Sequence, residues 1–337
     1  MKAQITQLSM LTGPSGWEDA VRDLVACRAA SLDLHTETDG LGNLTVWKRG
    51  RVRPPQPVVL SAHLDEPGMM VKSVAKGGFL KFGLTGDTDP RTVLGKTVAV
   101  GERSLPGIVG LKPIHLTPPE ERKSMPKTGE LYLDIGAPNE DWACSSVCPG
   151  DYAVFVQRPL CLGEHMLLAK AMSRSMGCAV LLALMSRELP VDVCFSFSTQ
   201  RHVGCRGTYG AAARLRPGLV VALDICPGEG AGELLPLLGG GPVIPAMDKG
   251  AVFDRKVVAL LKKGAETAHI PVQIWADAGV GGEGGVWQRS CGGAQTAVLY
   301  CPAKYCTAPA QVIDSRDTEA MVAVICGMFT ELEGQWI

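Results

Sequence analysis

The sequence predicts an α/β protein: a mixed sheet covered by helices on both faces, with a small all-β domain inserted into it. Two observations carry this prediction. Helical segments alternate with short apolar strands before residue 70 and again after residue 160, the order that buries a sheet between two layers. Between about 70 and 160 the chain becomes rich in Gly and Pro, with short β-like runs and little helical periodicity. The expected organisation is residues 1–69 plus 161–337 as the α/β domain and 70–160 as a β-barrel-like insert.

The elements follow in order. WEDAVRDLVACRAASL (17–32) has helical spacing after a Gly-Pro-Ser-Gly turn, with Ser15 or Gly16 as the cap. The turn Asp39-Gly-Leu-Gly-Asn43 leads into LTVWKRG, and PVVLSAH (57–63) reads as a buried strand ending in polar residues. In the insert, GGFLKFG, KTVAVG, GIVG, ELYLDIG and YAVFV are the strand candidates. HMLLAKAMSRSMGCAVLLALMSRE (165–188) predicts one long helix, and VDVCFSFS (191–198) a strand. A helix after Thr208 precedes the strand LVVALDI (219–225). KVVALLKKGAETAHI (256–270) is helical, VQIWA and QTAVLYC are strands, and 318–334 closes the chain as a helix.

Composition narrows the function classes. The 337 residues are 46% hydrophobic, which excludes disorder as the dominant state. Lys+Arg number 33 against 34 Asp+Glu, so no net field draws the chain to nucleic acid or an anionic membrane. No apolar run has the length of a membrane span, and MKAQITQLSM lacks the pattern of a secretion signal. A cytoplasmic protein is expected, with its 12 cysteines reduced and mostly buried as small hydrophobes. The closest pairs, Cys144–Cys148 and Cys301–Cys306, lack the CxxC spacing of a structural zinc site.

Ligands of α/β sheets collect at strand ends. Those ends offer His63-Leu-Asp65-Glu66, Gln200-Arg201-His202, Asp224 and Glu283 in the loop GVGGEGG. A His-x-Asp at a strand end suits a metal-bound imidazole whose other nitrogen a carboxylate holds. Taken singly, each is also an ordinary hydrogen-bonded polar group at a strand terminus.

Together with their surroundings, these residues resemble the glutamyl aminopeptidase family of dinuclear metallopeptidases, which includes tetrahedral, dodecameric aminopeptidases. The resemblance runs nearly end to end. It includes Thr12-Gly-Pro-Ser-Gly-Trp-Glu18, SAHLDEPGMMV (61–71), GFLKFGLTGDTDPRTVLGKTV, ELYLDIGA, MGCAVLLALM, QRHVGCRGTYGAA, VVALDI, GGGPVIPAMDKG and PAKYCTAPAQVID. It implies a zinc-aminopeptidase-like fold, a homo-oligomer (a dodecameric cage or a dimer) assembled through the inserted domain, and a site with two divalent metals. There, two cations lower the pKa of a bridging water, a carboxylate takes its proton, and the metals hold the oxyanion.

Residue by residue, the resemblance assigns His63 to the first metal, Asp65 to orienting it, and Asp224 to that metal's terminal carboxylate. Four positions depart from the pattern. Ser173 stands where the bridging Asp belongs. In Gln200-Arg201-His202-Val203-Gly204, Arg201 takes the general-base position and His202 that of the second metal's Glu. Thr307 replaces the late His, and no histidine follows His269.

A Ser hydroxyl cannot bridge two divalent ions as a carboxylate does, and Arg is always protonated. Three readings remain: a non-peptidase or pseudoenzyme relative, an enzyme with altered chemistry, or a weak metal-dependent aminopeptidase. In the second, His63, His202 and Asp224 hold one divalent metal, Zn or Fe, and Arg201 binds the carboxylate of a small-molecule or peptide ligand. Against this stands a metal-free site in which His202 is hydrogen-bonded to Asp224 or Ser173. Cys205, Cys226, Cys301 and Cys306 add a thiolate ligand, or a nucleophile paired with His202, as a further option.

Overall fold

A computed structural model of the chain describes residues 1–229, 235–277 and 279–336. As predicted, a mixed sheet dominates. Its main path runs His35–Thr38, Leu44–Lys48, Val193–Ser198, Val58–His63, Leu219–Pro227, Gln295–Lys304, Gln311–Asp314, Met166–Ala169 and Leu160–Leu162. The central strands from Val193–Ser198 to Gln295–Lys304 are parallel, and antiparallel strands flank them on both sides.

Strand periodicity sorts the core into two layers. Val58, Leu60 and Ala62 face the larger core, which holds the helices Met172–Met185 and Ser315–Trp336. Val59 faces the smaller one with Ala211, Ala212 and Trp287, from the helices Arg206–Leu215 and Gly284–Arg289. The helix Met172–Met185 packs against the strands, the N-terminal helix Lys2–Met10 and Ser315–Trp336 together. Beyond its polar first turn (Ser173, Arg174, Ser175) it is apolar on every side, as a helix packed on several faces must be.

Register then sets the site. Ser198 pairs with His63, and Ala222 pairs with Ser61, which brings Asp224 level with His63. The carboxyl ends of three parallel strands thus converge on one edge, where α/β sheets place their ligands.

The insert is a closed barrel in the order Gly68–Val74, Leu80–Thr85, Tyr132–Asp134, Leu105–Gly110, Thr97–Val100 and Tyr152–Phe155. Alternate residues such as Met69, Val71, Leu80, Phe82 and Phe155 fill its interior. The barrel strands begin at Gly68, while Leu160–Leu162 already belongs to the main sheet.

Two local expectations need correction. The helix expected over 165–188 is a strand, Met166–Ala169, followed by a helix, Met172–Met185. Leu167 pairs with Ile313, and Ala171 between the two elements takes a left-handed conformation (φ 51°) that breaks any continuous helix. Ser15 and Gly16 do not cap the next helix, which runs Asp19–Ala30 behind Glu18; Ser15 Oγ donates instead to Asp65 Oδ2 at 2.6 Å. Lys2–Met10 is helical and His35–Thr38 is a strand, neither of which the sequence pattern announces.

Candidate active site

His63 ends its strand with its ring buried. Its Nδ1 lies 3.0 Å from the Asp65 carbonyl oxygen and 3.2 Å from Asp65 Oδ1. Both are acceptors, so Nδ1 carries a proton and Nε2 is left to face Ser173 Oγ at 2.7 Å. Asp65 thus orients the ring, and it does more. Its Oδ1 accepts the Arg201 amide and its Oδ2 the His202 amide, each at 2.9 Å. One carboxylate therefore ties the end of the His63 strand to the short 3₁₀ turn Arg201–Val203. Burial works to raise the Asp65 carboxyl, but the facing His202 and His63 and the Ser15 hydroxyl hold it well below the ordinary range.

Ser173 sits in the first turn of the helix Met172–Met185. Its hydroxyl reaches both His63 Nε2 and Asp224 Oδ1, to which it donates. Asp224 Oδ1 also accepts the Ile225 amide, and Oδ2 accepts Arg201 Nη2 at 2.7 Å. The same Arg201 nitrogen donates to the Gly281 carbonyl at 3.2 Å. This approach depends on Gly282, where a Cβ would stand 2.7 Å from Asp224 Oδ2. Burial opposes the charge on both partners, yet the pair restores it: Arg201 is held protonated and Asp224 below its usual carboxylate range.

His202 stands edge-on to His63, ring centroids 5.3 Å apart. Its Nδ1 is 3.4 Å from Arg201 Nη1, while its Nε2 is buried without a hydrogen-bond partner. It is thus bonded to neither Asp224 nor Ser173, because those two satisfy each other. Burial first, and the Arg201 charge after it, push the His202 imidazole down to about 3, so the ring is neutral. Arg201 Nε is likewise buried without an acceptor.

These groups line a cleft of about 310 Å³, with Thr307, Cys306, Gln311 and Lys249 from the main domain and Asp87 and Thr88 from the barrel side. Glu283 is not among the lining residues. Its carboxylate accepts from Ser61 Oγ and Ser198 Oγ behind the strand ends, which makes it a structural support. All twelve cysteines are free. Burial pushes the Cys205 and Cys306 thiols up to about 12 and raises Cys226 and Cys301 as well. Cys306 donates to the Ala303 carbonyl and Cys205 to the Arg201 carbonyl, so neither is paired with His202. Protonated, bonded thiols are poor ligands and poor nucleophiles.

Sequence reading missed several participants. Ser15 was visible only as part of a turn. Lys249, Asp87 and Thr88 fall within stretches that carry the resemblance but were not singled out, since only the fold brings them to the cleft from distant parts of the chain. Beside the site, Lys170 Nζ donates to both Glu66 oxygens, at 2.8 and 2.6 Å, with Arg174 Nη1 at 3.7 Å from the same carboxylate.

The two metals implied by the resemblance do not fit this donor set. Asp224 has both oxygens engaged, His63 Nε2 meets a hydroxyl, and a guanidinium occupies the flank of the carboxylate. Among the described residues, no group of three or more His, Cys, Asp or Glu could hold a metal ion, and His63, His202 and Asp224 form no such group.

Known proteins share this architecture. A TET aminopeptidase from a marine sediment Thaumarchaeota archaeon is 25% identical and superposes with a TM-score of 0.91, covering 100% of this chain and 99% of that one. The TET1 peptidase of Pyrococcus horikoshii, which can assemble into a tetrahedron or a large octahedral shell, is 28% identical with a TM-score of 0.86, covering 97% and 98%. The glutamyl aminopeptidase of Lactococcus lactis subsp. cremoris is 26% identical, covering 90% of this chain and 88% of its own. The profile of the M42 glutamyl aminopeptidases matches residues 42–324, the whole span from the first inner strands through the barrel to the closing helix, and the chain belongs to that family.

Proposed function

We propose that this chain is a metal-independent member of its family: a non-peptidase relative whose cleft binds a small carboxylate-bearing molecule or peptide end. The observation that carries this reading is the Arg201–Asp224 pair, closed at 2.7 Å with Ser173 on the other carboxylate oxygen. Arg201 supplies from within the chain the positive charge that a cation would otherwise bring to Asp224. A divalent ion about 4 Å from that guanidinium would meet a repulsion of several kcal/mol at an effective dielectric of about 20. Arg201 also cannot accept a proton from water, so the general-base role has no occupant at its position.

The ligand class follows from unsatisfied donors. Arg201 Nε and the neutral His202 ring's Nε2 lack acceptors, and Lys249 lines the same cleft. A carboxylate or carbonyl is what such donors take. The barrel exposes Ile108, Ile114, Leu116 and Met125, apolar residues that favour assembly of copies into a homo-oligomer, as the cage-forming Pyrococcus relative does. Twelve unpaired cysteines favour the cytoplasm. Among the described residues, no helix is long and apolar enough to cross a membrane.

Metal analysis tests the central claim. Protein loaded with Zn, Co or Fe(II) and then desalted is expected to retain none and to leave aminoacyl anilides intact. One or two retained equivalents with chelator-sensitive turnover would overturn it. Light scattering checks the assembly: a monomer at micromolar concentration contradicts it.

A further inference from the structure

The geometry points to Ser173, His63 and Asp65 as a metal-free acyl-transfer triad, with Ser173 the nucleophile toward small carboxylate-bearing esters. This rests on the metal-independent reading of the cleft. The three side chains stand in the relation such a triad requires: Ser173 Oγ 2.7 Å from His63 Nε2, and His63 Nδ1 3.2 Å from Asp65 Oδ1. The tautomer is also the required one. The Asp65 carbonyl oxygen and Oδ1 both face Nδ1, so the proton resides there and the Nε2 lone pair points at the serine.

Ser173 is presented as a nucleophile must be. It follows Ala171, held at φ 51°, and enters the first turn of a 14-residue helix. In that turn the amides have no carbonyl one turn earlier to bond. The Met172 amide donates to Gln311 Oε1, while those of Ser173 and Arg174 have no acceptor among the described residues. Ser173, Arg174 and Arg201 all line the cleft, so a developing oxyanion beside Ser173 meets backbone donors and a fixed cation.

Asp224 competes for the serine proton, since Oδ1 accepts from the same hydroxyl. Attack therefore requires the hydroxyl to turn about its Cβ–Oγ bond, from Asp224 Oδ1 to His63 Nε2 at 2.7 Å, while Arg201 remains on the other oxygen of Asp224.

The step balances without any further reagent. Ser173 Oγ attacks the ester carbonyl carbon, its proton passes to His63 Nε2, and the carbonyl π pair moves onto oxygen. Collapse expels the alcohol, which takes the proton from His63. Water then attacks the acyl-serine, His63 removes its proton and returns it to Ser173 Oγ, and the acid leaves. Arg201 and His202 bind the substrate carboxylate, and Asp65 acts as a positioning residue.

The test uses full-length, chelator-treated protein with diisopropyl fluorophosphate, in which Ser173 Oγ displaces fluoride and His63 takes up the proton. The expected result is one phosphoryl adduct per chain, mapped to Ser173 by mass spectrometry, and a matching burst of nitrophenolate from 4-nitrophenyl acetate. Ser173→Ala is expected to abolish both, and His63→Gln to slow labelling by about 10²–10⁴-fold. In Asp65→Asn the maximal labelling rate falls while the half-saturating reagent concentration stays unchanged. The adduct map on the native protein decides the matter even if Ser173→Ala fails to fold. Absence of label on Ser173, or labelling as fast in His63→Gln, overturns the triad. Absence of label in protein that also retains no metal sinks the triad alone, whereas label that forms only after Zn loading sinks the metal-independent reading with it.

Discussion

Two buried carboxylates, Glu66 just past the end of the His63 strand and Asp224 on the neighbouring strand, are each paired with cations, and they behave differently. Glu66 is paired with Lys170 and Arg174, all three buried, and it also accepts the Gly13 amide. Asp224 is paired with Arg201 and Ser173, and all three line the cleft. In the first cluster only Arg174 reaches the cleft lining; Lys170 and Arg174 also donate to the Leu8 and Leu11 carbonyls, so the cluster braces the N-terminal segment against the helix Met172–Met185. All members of the second line the cleft, where the proposed ligand would meet fixed charges and unsatisfied donors. The same ionic pairing differs in its setting according to what lies next to it.

That contrast can be broken by substitution. Glu66→Ala leaves two buried cations without their partner and is expected to cost about 3–5 kcal/mol, read as a drop in urea midpoint. Arg201→Ala also removes one partner of a buried pair. Ser173 and the Ile225 amide stay on Asp224, and water enters the cleft, so the expected loss is smaller, about 1–3 kcal/mol. Equal losses would show that the cavity relieves nothing. Arg201→Ala should also gain Zn affinity in calorimetric titration, whereas Glu66→Ala should not.

Acid probes the second cluster as well. The folded Asp224 carboxyl is held below its unfolded value, so its contribution is complete above about pH 4 and is lost as pH falls through the folded value. In Arg201→Ala the folded value rises, and the acid-unfolding midpoint by circular dichroism moves to higher pH. The smallest effect is expected from Ser15→Ala. It removes one hydrogen bond from an Asp65 that keeps its other donors, at about 0.5–1.5 kcal/mol in thermal or urea unfolding.

Much of the site was legible before any coordinates. His63 and Asp224 end runs of apolar residues that read as parallel strands, and parallel strands bring their carboxyl ends to one edge. The aminopeptidase pattern then marked Ser173, Arg201 and Thr307 as departures, and all three line the cleft. What the sequence hid was pairing. Nothing local says that Arg201 turns onto Asp224, 23 residues later, or that Ser15 bonds Asp65 across 50 residues. Glu283 misled because a carboxylate in a Gly-rich loop looks the same in sequence whether it faces a cleft or two buried serines. Met166–Ala169 misled because a short apolar run next to a helix has no period of its own. Only its pairing with Gln311–Asp314 makes it a strand.

Gly86, in a left-handed conformation on the barrel side, lies beside the ring of His202 with no room for a side chain: a Cβ there would stand 2.9 Å from Nδ1. Asp89 nearby donates its amide to the Thr307 carbonyl. The cleft is therefore not the property of one domain. Its wall is a seam, and the imidazole serves as the stop against which the insert rests. The absence of a side chain at Gly86 is what leaves room for the His202 ring at this seam. Gly86→Ala would act as a wedge in that seam, changing the pocket from a position that belongs to the barrel's own chain segment.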